Sequence, residues 1–210
     1  LSVAESKGLI TPIGNLVLLE ACKEIKSWNE QLAGNLSISV NLSAKQFKEK
    51  DLLTNIDNIL REAQLAPAAL TLEITETIIM DDIESSAATM QALKKHGIKL
   101  AMDDFGTGYA SLNYLKQFPI DYLKLDRALI KDLLTDSDAA QITSTVISLA
   151  CNMGLTVIAE GVEEIGQLKF LEKNGCHCIQ GFLFSKPVIK NNVKSLILRN
   201  YSPIVASIRA

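Results

Sequence analysis

The chain has 210 residues, of which 48% are hydrophobic and 21% charged, and a formal net charge of −3. This composition indicates a globular domain with one sizeable core and excludes a disordered chain. The mild negative charge excludes a general attraction for DNA or RNA polymers and for anionic membranes. No apolar run reaches the roughly 18 residues of a membrane span. Because the sequence starts at Leu1 and shows no signal peptide, we expect a piece of a longer cytoplasmic protein, whose other parts can include a membrane anchor.

The four cysteines are expected to be reduced thiols. Cys22 and Cys151 fall in helix-like stretches, and a single residue separates Cys176 from Cys178. That separation is too short for the usual Cys-x-x-Cys zinc spacing. Because the chain has only two histidines, the sequence does not predict a zinc site. Disulfide frameworks belong to small secreted folds, so the pattern favours a reducing compartment.

Helix-like and strand-like stretches alternate along the first half of the chain. Residues 1–9 have a helical pattern, and Thr11 followed by Pro12 is typical of a helix start, because threonine caps and proline fits the first turn. Gly97 follows a stretch of helical spacing and is expected to end it. After the first two helices we predict a strand over 36–42, a helix over 51–63, a strand over 70–74, a helix over 85–96 and a strand that ends at Asp103.

The second half of the chain continues the alternation. The predicted elements are a short helix over 111–117, a strand over 120–125, a helix over 138–153 closed by Gly154, a strand over 155–159, a helix over 164–174 closed by Gly175, a strand over 178–184 and a helix over 191–199. Strands that alternate with helices of this length predict parallel strands with crossover helices. We therefore expect an α/β fold in one domain over residues 1–200, followed by a tail over 201–210.

Polar residues recur where the predicted strands end. Taken singly, each has a plainer explanation as a turn cap, an ion-pair partner or a solvated charge. Their recurrence at equivalent places indicates a (β/α)₈ barrel of the TIM type, in which the carboxyl ends of the strands meet at the catalytic mouth. About six strands are predicted where that barrel has eight, so we expect an N-terminally incomplete barrel that lacks its first strand. The polar residues are Asn41, Glu73, Asp103, Lys124, Glu160 and Gln180.

The segment that starts at Asp103 and Asp104 is the most informative of these strand ends. Two adjacent carboxylates close an apolar run, and Gly106 and Gly108 follow at once. Like charges repel, and burying them without a partner is costly, so a cation is expected beside them. Neighbouring residues on a regular strand point to opposite faces. Both carboxylates can therefore face one cation only if the backbone turns between them, which Gly106 is close enough to permit.

Seven segments spread along the chain form an ordered set of motifs: AESKGLITPIG, VNLSAKQF, LEITE, DDFGTGYASL, IDYLKLDR, IAEGVEE and QGFLFSKP. Together they resemble the EAL-domain family of bacterial cyclic di-GMP phosphodiesterases. The resemblance extends from about Leu1 to Val188 and implies a barrel that hydrolyses cyclic di-GMP to linear pGpG with a pair of Mg²⁺ or Mn²⁺ ions. Oxygen donors are the ligands that these ions prefer, and a two-ion site suits phosphodiester cleavage.

The resemblance also assigns metal ligands. It implies that Asn41, Glu73 and Asp103 bind metal, that Asp103 bridges the two ions, and that Asp104 and Glu160 serve the second ion.

The remaining roles likewise follow from the resemblance. Glu160 resembles the general base, Lys124 the residue that holds the attacking water or offsets phosphate charge, and Glu163 a carboxylate that supports Lys124 or the water. Gln180 resembles a residue that contacts guanine. Glu76 resembles the acid that anchors the loop over residues 104–111, which in the family couples dimerisation to activity. A homodimer and fusion to other signalling domains are therefore expected.

One feature of the family pattern is absent from the sequence. The Glu-Ala-Leu motif belongs to the first strand, upstream of the segment that resembles residues 1–10, and its glutamate would be a further metal ligand. Either the parent protein has this strand and the chain is trimmed, which we favour, or the parent is degenerate. We expect weak or no turnover from the chain as it stands. The alternatives are a cyclic di-GMP receptor that does not cut and a structural domain without a ligand.

Overall fold

The computed structural model describes residues 2–32, 34–106 and 115–199. Most of the helix predicted over 111–117, and all of the tail over 201–210, lie outside these residues. The chain forms two compact units, and strand β3 (Lys99–Phe105) contributes residues to both. Unit 1 comprises Leu1–Met102 and Ser111–Ile120, and unit 2 comprises Asp103–Ala110 and Asp121–Ala210.

In unit 1, two parallel strands alternate with helices along the first half of the chain. β1 (Ile38–Asn41) and β2 (Leu70–Thr75) pair in parallel, with Ile38 opposite Leu70 and Asn41 opposite Glu73. β2 is buried at five of its six positions, as expected of a strand covered on both faces. The elements before β3 are α1 (Ser2–Ser6), α2 (Ile10–Leu32), β1 (Ile38–Asn41), α3 (Ala44–Phe47), α4 (Leu52–Ala63), a 3₁₀ turn (Pro67–Ala69), β2 (Leu70–Thr75), α5 (Glu76–Asp81) and α6 (Ile83–Lys95).

Unit 2 repeats the pattern of parallel strands with intervening helices. β4 (Tyr122–Leu125) pairs with β5 (Thr156–Ala159) so that Lys124 lies opposite Ile158. β5 pairs with β6 (Cys178–Ile179) so that Ala159 lies opposite Ile179. After the end of β3, its elements are β4 (Tyr122–Leu125), α7 (Arg127–Ile130), α8 (Ser137–Asn152), β5 (Thr156–Ala159), α9 (Ile165–Lys173), β6 (Cys178–Ile179) and α10 (Lys190–Ile197). The described part of the chain therefore has six strands in all.

The glycines predicted to end helices do so. Gly97, Gly154 and Gly175 follow α6, α8 and α9 with positive φ angles of 83°, 77° and 89°, a backbone conformation that glycine adopts without the steric cost of a Cβ. At the end of α4, Gln64 adopts the left-handed conformation instead, with φ of 52°. A glutamine at this position does not predict a left-handed helix end from the sequence.

Most predicted boundaries differ from those of the structure by one to three residues, and β3 ends at Phe105 rather than at Asp103. α2 begins at Ile10 rather than at Thr11; Pro12 is tolerated inside its first turn because the backbone N–H groups there have no helical partner. The last strand ends at Ile179 rather than at residue 184, because the chain turns at Gly181. The Leu183 N–H donates to the Val162 carbonyl over 3.1 Å, which ties the turn to the loop after β5.

All four cysteines are free thiols, as predicted. Burial raises the pKa of Cys22 to about 11 and that of Cys176 to about 12, because an apolar environment disfavours the thiolate. Across the residues that the structure describes, no helix combines the length and the apolar character that crossing a bilayer requires.

Candidate active site

In unit 1 the structure brings together two predicted metal ligands at neighbouring strand ends. Asn41, the last residue of β1, pairs in register with Glu73 of β2. Residues in register on adjacent parallel strands project to the same face of the sheet. The Leu42 N–H donates to the Glu73 carbonyl over 2.9 Å and extends the pairing by one residue. Asn41 is exposed and Glu73 is buried, so a buried carboxylate lies beside an accessible amide.

In unit 2 a buried lysine lies between two predicted catalytic carboxylates. The Lys124 Nζ atom is 3.0 Å from Asp103 Oδ1 and 2.7 Å from Glu160 Oε1. The exposed fractions of the three side chains are 4% for Lys124, 9% for Asp103 and 19% for Glu160. A charge this deeply buried is stable only with partners of opposite sign. The strands β3 and β4 and the end of β5 thus converge on one charged cluster.

The backbone turn that the adjacent carboxylates require occurs at Asp104 itself. Asp104 has φ of 57°, a left-handed conformation inside strand β3, and its N–H donates to Asp103 Oδ1 over 3.0 Å. Asp104 is half-buried, whereas Asp103 on one side and Phe105 on the other are buried. Aspartate is one of the few residues other than glycine that tolerate this conformation. The strand therefore changes direction one residue after Asp103, ahead of Gly106.

Three of the predicted residues line one cavity of about 540 Å³ in unit 2. They are Glu160, Glu163 and Gln180. Two cations that the prediction did not single out, Arg127 and Lys186, line it as well. Both belong to sequence motifs, IDYLKLDR and QGFLFSKP, so the motif was a signal even though no role was assigned to the residue. The cavity therefore combines acidic, basic and amide side chains, and its two cations are of the kind that pairs with phosphate.

Arg127 is the ion-pair partner of Glu163. Its Nη2 atom lies 3.0 Å from Glu163 Oε1, and both side chains are largely exposed. Gly161, with φ of 69°, leaves room for the arginine, because a Cβ at this position would lie 2.5 Å from Arg127 Cγ. At the neighbouring turn a Cβ on Gly181 would lie 2.7 Å from the backbone carbonyl carbon of Val162. Both glycines are therefore needed for the close packing of the cavity wall.

Glu76, the predicted loop anchor, is buried in the first turn of α5, directly after β2. The loop over 104–111 that it would anchor is described only as far as residue 106. The proposed contact, and the part played by Gly108, lie outside the described residues. The anchoring role of Glu76 therefore stays a prediction.

The predicted ligand set suits a hard divalent cation. Within residues 2–32, 34–106 and 115–199, no three or more His, Cys, Asp or Glu side chains form a group that could hold a metal ion. Four of the five predicted ligands are carboxylates, and no three of them form such a group among these residues; the fifth is the amide of Asn41. Amide and carboxylate oxygens are the ligands that Mg²⁺ and Mn²⁺ prefer. Each unit places two of these donors close to one another: Asn41 with Glu73 in unit 1, and Asp103 with Glu160 in unit 2. The donor atoms therefore fit such ions by their chemistry, and the metal site is a proposal.

Comparison with known proteins identifies the family. A model of the EAL domain matches residues 1–187. The chain belongs to the EAL domain family. It is 42% identical over 188 residues to the bifunctional diguanylate cyclase/cyclic di-GMP phosphodiesterase MucR of Pseudomonas aeruginosa, covering 90% of this chain and 27% of MucR. The chain thus spans about a quarter of the length of this curated relative.

Solved EAL structures share the fold. The MucR phosphodiesterase in complex with cyclic di-GMP superposes with a TM-score of 0.87 at 41% identity, covering 91% of this chain and 78% of that one. A manganese and cyclic di-GMP complex of Klebsiella pneumoniae BlrP1 gives a TM-score of 0.74 at 31% identity, over 84% of this chain and 45% of BlrP1. The EAL resemblance is confirmed. So is the α/β fold class, a TIM-type barrel with fewer than its eight strands, since the described residues hold six.

Proposed function

We propose that this EAL domain hydrolyses cyclic di-GMP to linear pGpG with the help of Mg²⁺ or Mn²⁺. The observation that carries the proposal is the position of Glu160, which is ion-paired to Lys124 and lines the same cavity as Gln180. The residues proposed as the base and as the guanine contact therefore line one cavity. EAL relatives named as cyclic di-GMP phosphodiesterases support the substrate.

In this proposal Glu160 accepts the proton of the attacking water. An ammonium 2.7 Å from its carboxylate stabilises the charged form, which is the form that can accept a proton. Lys124 also carries positive charge at the bottom of the cluster, where it offsets negative charge that develops on the phosphate. Gln180 contacts guanine, and Arg127 holds Glu163 at the rim of the cavity.

Asn41, Glu73, Asp103, Asp104 and Glu160 are the proposed ligands of a two-ion site. When bound, the ions supply Lewis acidity and lower the pKa of water from about 16 toward 7. The buried carboxylates Glu73 and Asp103 offer the negative charge that such ions require. The left-handed backbone at Asp104 separates its side-chain direction from the alternation of a regular strand, which supports its inclusion among the ligands.

The proposed assembly and setting follow from the family. We expect a homodimer, other signalling domains in the same protein, and a cytoplasmic location. The length of the curated relative, of which this chain spans about a quarter, supports additional domains. No binding of DNA or RNA polymers is expected at a net charge of −3.

The decisive test is hydrolysis of cyclic di-GMP by the 210-residue chain and by a form extended at its N-terminus, with Mg²⁺ or Mn²⁺. Glu160→Gln should lower kcat by about 10²- to 10⁴-fold, the usual contribution of a general base, while calorimetry still detects nucleotide binding. Glu172→Gln, an equivalent change on α9, is the matched control and should leave kcat unaltered. Binding without turnover in both forms would instead favour a receptor, and absence of binding would refute the proposal.

A further inference from the structure

Two glutamines are buried at equivalent places in the two units. Gln46 and Gln167 have exposed fractions of 3% and 4%. Each is the third residue of a short helix that follows a strand end, α3 after β1 and α9 after β5. Glutamine at this helix position commonly bonds back to the capping residue at the surface. Burial of both side chains indicates a further role, because a buried amide is costly unless it is hydrogen-bonded.

Gln46 connects the loop after Asn41 to helix α2. Its Oε1 atom accepts hydrogen bonds from the Ser43 N–H over 3.3 Å and from Ser43 Oγ over 2.8 Å. Its Nε2 group donates to Asn15 Oδ1 on α2 over 3.1 Å. Ser43 is two residues beyond Asn41, and the intervening Leu42 is bonded to Glu73. The end of β1 is thus fixed on one side by β2 and on the other by Gln46.

Gly14 makes room for this glutamine. It lies inside α2, a helix of 23 residues, where glycine costs about 1 kcal/mol relative to alanine. A Cβ at Gly14 would lie 2.5 Å from Gln46 Cδ, which is far inside van der Waals contact. Helix α2 therefore has a destabilising glycine where the buried amide of Gln46 packs against it. This supports a role for Gln46 beyond local capping.

Gln167 makes the corresponding connection in unit 2. Its Oε1 atom accepts hydrogen bonds from the Glu163 and Glu164 N–H groups over 2.9 and 3.1 Å. Its Nε2 group donates to the Ile130 carbonyl of α7 over 3.2 Å. The α7 helix also carries Arg127, whose side chain holds the Glu163 carboxylate. The segment from Glu160 to Glu163 is therefore tied to α7 through both its backbone and a side chain.

We propose that Gln46 and Gln167 are positioning residues of the active site, the first for Asn41 and the second for Glu160 and Glu163. The inference rests on the proposed function. Each glutamine joins the loop that follows a site residue to a helix elsewhere in the same unit, so it limits how far the strand end can move. Groups that orient metal ligands or catalytic side chains from behind typically change metal affinity or activity by about 10- to 100-fold when they are removed.

The test compares Gln46→Ala and Gln167→Ala with Asn29→Ala. Asn29 on α2 accepts a hydrogen bond from the Leu36 N–H over 2.7 Å and donates to the Leu36 carbonyl over 2.9 Å. Its variant therefore also loses side-chain hydrogen bonds between a helix and a loop, but at the opposite end of β1 from Asn41. Hydrogen exchange should speed up at the Ser43 amide in Gln46→Ala and at the Glu163 amide in Gln167→Ala. Asn29→Ala should leave both amides protected.

Binding and kinetics, measured on the N-terminally extended form, then separate positioning from stability. Gln46→Ala should weaken Mn²⁺ binding, measured by calorimetry, by about tenfold or more. Gln167→Ala should lower kcat for cyclic di-GMP by a similar factor with little change in KM. Asn29→Ala should leave Mn²⁺ affinity and kcat within twofold of those of the unaltered extended form, even where its unfolding midpoint falls as far as those of the two glutamine variants.

Gly14→Ala provides a second variant in case Gln46→Ala fails to fold. The added methyl group should displace Gln46 and weaken Mn²⁺ binding to the same extent. Gly34→Ala is its control, because there the nearest atom to a Cβ would be 3.7 Å away. Equal Mn²⁺ affinity in the unaltered extended form, Gln46→Ala and Gly14→Ala would overturn the role of Gln46 alone, and an unchanged kcat in Gln167→Ala that of Gln167. Failure of the N-terminally extended form to bind Mn²⁺ would overturn the metal site and the role of Gln46 with it.

Discussion

Replacement of Lys124 by methionine tests the charged cluster of unit 2. The lysine has oxygen neighbours at 3.0 and 2.7 Å, which at an effective dielectric constant of about 20 correspond to attractions of about 5.5 and about 6 kcal/mol. Desolvation of the three ions offsets much of this gain. Removing one member of a buried ion pair leaves charge without compensation, and typically costs about 3–5 kcal/mol. We expect Lys124→Met to lower the free energy of unfolding by this amount and to abolish turnover.

Chemical denaturation followed by circular dichroism measures the change, and Lys23→Met is the matched control. The Lys23–Glu62 ion pair has the same 2.7 Å separation, but its side chains are 44% and 58% exposed. Exposed pairs contribute little to stability, so Lys23→Met should leave the unfolding midpoint nearly unchanged. A small effect of Lys124→Met, or an equal effect of the two substitutions, would refute the claim that burial makes this cluster important for stability.

Two further predictions concern the backbone and the thiols. Gly161→Ala should lower the free energy of unfolding by more than Gly154→Ala does. Both positions have positive φ, which costs about 1–2 kcal/mol for alanine, but only the Cβ added at position 161 would lie 2.5 Å from Arg127 Cγ. Equal losses of stability in denaturant unfolding would contradict this. The raised pKa values of Cys22 and Cys176, about 11 and about 12, predict slow alkylation of both at pH 8, read by mass spectrometry. Their folded-state pKa values lie above the reference of 9.0. The free energy of unfolding should therefore be undiminished below pH 9 and should decline as pH rises from 9 toward 12. Rapid alkylation of the folded chain would contradict the burial of the two thiols.

The alternation of strands and helices was predictable because it depends on local periodicity. The six strand regions were found from apolar runs, and glycines such as Gly97 located helix ends because their backbone requirement is chemical and local. The short helices α3, α5 and α7 were not predicted. Each has only 4 to 6 residues, which is too few for a periodic pattern and too short for a helix that is stable by itself.

The site was predictable as a set of residues but not as a set of contacts. Motif resemblance indicated Asp103, Lys124 and Glu160, and the structure brings them together. The pairing of Arg127 with Glu163 was missed, because an arginine after a strand has many possible partners and only the fold selects one. The burial of Gln46 was missed for a similar reason, since glutamine is usually exposed and its depth depends on a glycine 32 positions earlier.

The left-handed backbone conformation at Asp104 restricts which amino acids this position can accept. Glycine, asparagine and aspartate accept this conformation readily, whereas branched and bulky residues are strained by it. Of the three, only aspartate carries a negative charge. A library randomised at this codon and sorted first for folding should retain all three, and a second sort for nucleotide cleavage should retain aspartate. The backbone conformation thus favours three of the twenty amino acids, and the requirement for a negative charge selects aspartate among those three.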